Sequence, residues 1–81
     1  MQKQQEYNVY LFLKDFETAG ENTTSWSRVA DPQALHTAIY NAEEHGLASG
    51  ITSILEQGNV AIHFNNPQIT ALGEKFLRAH E

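Results

Sequence analysis

The feature that most constrains this chain is a helix whose two ends are written into the sequence. Asp31-Pro32 supplies a capping oxygen followed by proline at the first helical position, where a missing N–H costs nothing. Leu35, Ala38, Ile39 and Ala42 then recur at helical spacing, and Gly46 follows Glu43-Glu44-His45 as the stop. In a chain of 81 residues, a helix fixed at this place divides everything else into one segment before it and one after it.

The leading segment reads as a helix from about Gln4 to Ala19, with Gly20 beyond its end. Val9, Phe12, Leu13 and Phe16 fall at i, i+3, i+4 and i+7 and define one apolar face, while Tyr7, Tyr10 and Leu11 cluster on another flank. The first five residues, rich in glutamine, are expected to fray. A short helix is expected over Ser25–Ala30, capped from within Thr23–Ser25 and anchored by Trp26 and Val29. After Gly46, Ile51–Leu55 and Val60–Phe64 read as strands of a hairpin whose loop is the four residues Glu56–Asn59. Asn65-Asn66-Pro67 is expected to break the second strand. Thr70 then caps a last helix with Leu72, Phe76 and Leu77 turned inward. The pattern is that of a single α+β domain over residues 1–81.

The order helix, short helix, helix, hairpin, helix is the layout of a winged helix-turn-helix domain. Two stretches sharpen the likeness. Leu35 to Ile51 resembles a recognition helix running into a wing, and Ile69-Thr70-x2-Gly73-x2-Phe76-Leu77 resembles the opening of the C-terminal helix in such domains. Over about residues 5–79 the chain is similar to the small bacterial and phage winged-helix family named YjcQ, which has no established activity. The superfamily holds both DNA-binding and protein-binding members, so the resemblance implies a binding module and leaves the partner open.

Charge bears on that choice. Ten acids against five bases give a net charge of −5 and a pI of about 5.2. A DNA-binding winged helix lays its third helix in the major groove, where basic and amide side chains meet phosphates and base edges. The matching stretch here, Asp31–His45, has no Lys or Arg and carries Asp31, Glu43 and Glu44 instead. The hairpin adds Glu56 and no base. Lys3, Lys14, Arg28, Lys75 and Arg78 all lie in other elements. A face without cations cannot neutralise phosphates, so DNA is disfavoured while the fold resemblance keeps it as the alternative, a phage-related regulator acting as a dimer.

The catalytic classes find little support. There are no cysteines, which removes disulfides, thiol chemistry and Cys-ligated metals. His36, His45, His63 and His80 form no i, i+4 pair on one helix, and His45 sits where a helix C-terminus favours a cation. Glu43 and Glu44 are adjacent and diverge around the helix, which reads as a solvated face rather than a pair of acid/base carboxylates. The glycines are scattered and make no phosphate loop. No enzyme activity, cofactor, metal or small-molecule ligand is expected. The longest apolar run, Val9–Leu13, is too short to span a bilayer, and the N-terminus lacks the order of a signal peptide, so the protein is expected in the cytoplasm.

Two surfaces remain as candidates. Gln33, His36, Thr37, Tyr40 and Asn41 form the polar face of the Asp31–His45 helix, which serves as solvated surface, protein contact or base reader. Tyr7, Tyr10 and Leu11 give the first helix a second apolar flank, suited to a protein partner or a homodimer across a two-fold axis.

Overall fold

In a computed structural model of the chain, which describes residues 1–22 and 27–81, helix α1 covers Lys3–Ala19. Its start is tied by the Gln2 N–H, which donates to Gln5 Oε1 at 3.0 Å, so Lys3–Gln5 belong to the helix. Gly20 caps its far end and opens a 3-10 turn, Gly20–Asn22. Helix α2 covers Pro32–Glu44, and Asp31 Oδ2 accepts the Ala34 N–H at 2.9 Å as its N-cap. At the other end the Leu47 N–H reaches Ala42 O at 2.8 Å and the Gly46 N–H reaches Glu43 O at 3.1 Å. That pair of bonds is the Schellman closure, and Leu47 just beyond it is buried.

The short helix expected over Ser25–Ala30 does not form over its described part, Ser27–Ala30, while residues 23–26, with Trp26, lie outside the described residues. The reason is where the N–H groups go. Ser27 Oγ takes the Val29 N–H at 3.1 Å, and Asp15 Oδ2 takes the Arg28 N–H at 2.8 Å. Side chains satisfy donors that a helix would have given to its own carbonyls.

Strands β1 (Ala48–Glu56) and β2 (Asn59–Ile69) form one antiparallel hairpin. The loop is shorter than expected: Glu56 pairs with Asn59, leaving only Gln57-Gly58, both at positive φ, as a two-residue turn. Nor does Asn65-Asn66-Pro67 end the strand. Ser49 pairs with Gln68 and Ile51 with Phe64, so three residues of β2 bulge opposite Gly50 and the ladder resumes beyond them. Gly50 has φ +75°, and a Cβ there would run into the backbone oxygen of Asn65. Only glycine fits that crossing.

Helix α3 covers Ala71–His80, with Thr70 Oγ1 accepting the Gly73 N–H at 3.0 Å. Leu77 is fully buried, but Phe76 is half-buried and Leu72 is exposed, so the expected inward face is displaced. The face that docks is Gly73 and Leu77, one turn apart. Thr70 ties the junction to the end of α2, its N–H to Leu47 O at 3.1 Å and its hydroxyl to Gly46 O at 2.6 Å. The architecture is α+β: three α-helices and a two-stranded hairpin around a core of Val9, Phe12, Leu13, Leu35, Ile39, Ile51 and Leu77.

Candidate functional site

The polar face expected on α2 is divided by its neighbours. Gln33 and Tyr40 are exposed; His36, Thr37 and Asn41 are half-buried. His36 Nδ1 is hydrogen-bonded to Ser53 Oγ at 2.7 Å, which fastens α2 to β1. The Asn41 side-chain nitrogen is buried without a hydrogen-bond partner. A donor shut away from solvent cannot meet a base edge. What α2 presents outward is therefore Gln33, Tyr40, Glu43 and Glu44.

Two of these, Tyr40 and Glu43, border a cleft between α2 and β1 with a volume of about 170 Å³. Ile39 and Ile51 are buried beneath it. Tyr40 and Glu43 line it from the helix and Thr52 and Ser53 from the strand, with the fixed His36 ring between. The Glu44 carboxylate one turn on, by hydrogen bonding and by charge, holds the Tyr40 phenol above its ordinary pKa. The ring itself is 59% exposed. Sequence reasoning read Glu43 and Glu44 as a solvated face. It missed the cleft because the pairing of Ser53 with α2 depends on strand register; the only local hint was an aromatic ring four residues before a glutamate.

The cations lie elsewhere. Arg28 pairs with the buried Asp15, Nε to Oδ1 at 3.2 Å. Lys14 meets Glu81 at 2.7 Å and Glu17 at 3.4 Å, and Arg78 meets Glu17 at 2.7 Å and Glu81 at 3.0 Å. A larger surface cavity of about 530 Å³ lies beside Asp15, Thr18 and Arg28, but its buried carboxylate is already engaged twice by Arg28. Among the described residues no three His, Asp or Glu side chains converge to hold a metal, and no helix is long and apolar enough to cross a membrane.

The second candidate surface also changes shape. Tyr10 and Leu11 are half-buried against the core, and only Tyr7 is exposed. The flank continues instead as a row of rings: Tyr7 on Tyr10 at 6.3 Å, Tyr10 on His80 at 6.3 Å, and His80 on Phe76 at 4.1 Å. No protein-family model, no curated protein and no solved structure matches this chain.

Proposed function

We propose that this chain is a non-catalytic binding module of the winged-helix kind, similar to the YjcQ family, and that its partner is a protein. A cytoplasmic location is part of the same proposal. One observation carries it: α2 with its cap and the hairpin, the elements a winged helix would present to DNA, carry exposed Asp31, Glu43, Glu44 and Glu56 and no Lys or Arg. Lys14, Arg28 and Arg78 are engaged by acids on α1 and at the C-terminal end of the chain, and Lys3 and Lys75 lie on α1 and α3. A DNA-binding regulator built on this surface would bring carboxylates against phosphates, which costs affinity at every contact. Self-association through Tyr7, Tyr10 and Leu11 has less support, since packing Tyr10 and Leu11 on the domain's own core shrinks the apolar area left for a second copy.

The test is affinity capture from a lysate with two baits, the wild type and the double variant Glu43→Lys/Glu44→Lys. Proteins identified by mass spectrometry on the first bait and lost from the second are expected, and nuclease treatment leaves that set unchanged. A captured set that vanishes with nuclease contradicts the reading.

A further inference from the structure

We infer that the cleft between α2 and β1 receives a single basic side chain, an arginine by preference, from the protein partner. This rests on the reading of the module as protein-binding and names the chemistry of its contact.

Four features of the cleft converge on a guanidinium. Glu43 supplies a carboxylate at the rim, and no Lys or Arg of α2 or the hairpin neutralises it. Tyr40 lines the cleft and supplies an exposed aromatic face on which a planar cation stacks. Thr52 and Ser53 contribute polar groups from the opposite wall, and Ile39 and Ile51 give an apolar floor for the methylene stem. The volume, about 170 Å³, equals that of about six water molecules at liquid density. It admits the end of one long side chain. Arginine is preferred to lysine because its fork can meet the Glu43 carboxylate while its plane lies on the ring.

The wall is preformed. His36 is bonded to Ser53, so α2 and β1 are joined at the cleft before any partner arrives. Little ordering is left to oppose binding.

The experiment titrates the full chain with a short Arg-Gly repeat peptide and reads backbone amide shifts by NMR, with mixed-sequence duplex DNA in a parallel arm. Shifts are expected at Ile39, Ile51, Thr52 and Ser53. Glu43→Gln and Tyr40→Ala, both at exposed positions, are each expected to weaken peptide binding about fivefold. Glu56→Gln removes the same charge from the far end of the hairpin and is expected to change it less than twofold. Equal losses for Glu43→Gln and Glu56→Gln, shifts confined to other residues, or no peptide binding would overturn the assignment. If the duplex is also silent in that event, the cleft proposal fails alone. If the duplex shifts the amides of α2, the protein-binding reading fails with it.

Discussion

Among the described residues, Asp15 is the one charged side chain drawn into the core, and both of its oxygens are used. One accepts the Arg28 N–H and the other meets the Arg28 guanidinium, so a single carboxylate fastens the segment leading into α2 onto α1. Asp15→Ala would leave a part-buried donor without an acceptor, and a loss of about 1–3 kcal/mol is expected in urea unfolding. Asp15→Asn keeps an acceptor of the same shape and is expected to lose less; equal losses would mean that the hydrogen bond is not what Asp15 contributes. Gly73 makes a different kind of contact. A Cβ there would collide with the backbone oxygen of Leu47 and lie 2.8 Å from Ile69 Cγ2. Glycine-to-alanine in a helix normally gains about 1 kcal/mol, yet Gly73→Ala is expected to lose about 1–3 kcal/mol in the same assay because neither backbone can give way. An unchanged or raised stability would show that α3 can move off Leu47. Gly73 also explains why the inner face of α3 was poorly legible. A glycine contributes nothing to an apolar pattern, so the pattern was completed with Leu72, which the structure exposes.

At the scale of elements, features set by near neighbours are legible in the sequence. The Asp31 and Thr70 caps, the Gly20 and Gly46 stops and the buried stripe of α2 depend on neighbours within a turn or two, and all appear where their residue types place them. Features set by tertiary contact are not. The bulge opposite Gly50 lets β2 run through Pro67, a residue that otherwise signals an end, and the side-chain bonds at Ser27–Val29 override helix-like spacing. The docking of α3 separates two side chains that the sequence treats alike. Leu77→Ala is expected to cost about 2–5 kcal/mol, and Phe76→Ala distinctly less because the ring is half-exposed; thermal melts of the two variants decide it. The reverse order would mean that α3 is rotated on the core. The ion pairs that join α3 to α1 should leave a signature in pH. The hydrogen bond from Lys14 holds the Glu81 carboxyl below its ordinary value against an opposing effect of burial. A folded-state value below the unfolded one means stability that is present above the unfolded pKa and lost as pH falls through the folded one. The melting temperature of Glu81→Gln should therefore lie below that of the wild type at neutral pH, and the gap should close on acidification past the ordinary glutamate range. A gap that persists in acid would assign the difference to packing.

For the whole molecule, an accessible surface of 4947 Å² matches the ~4,900 Å² expected of a compact chain of this mass, and the radius of gyration of 11.3 Å matches ~12 Å. The domain thus reaches ordinary burial without help from a partner, and its partner surface has to be argued from charge and shape. Charge is partitioned along the fold. All five bases sit on α1, α3 and the segment before α2, three of them in ion pairs, while α2 and the hairpin are left wholly acidic. That partition was legible in the sequence as an absence of Lys and Arg; the cleft beside Tyr40 was not. The most direct measurement of the central claim is fluorescence anisotropy of a labelled mixed-sequence DNA duplex titrated with the protein at 150 mM salt. Binding weaker than ~100 µM is expected, at the weak edge of ordinary non-specific affinity, and a low-micromolar affinity that falls as salt is added would contradict the account.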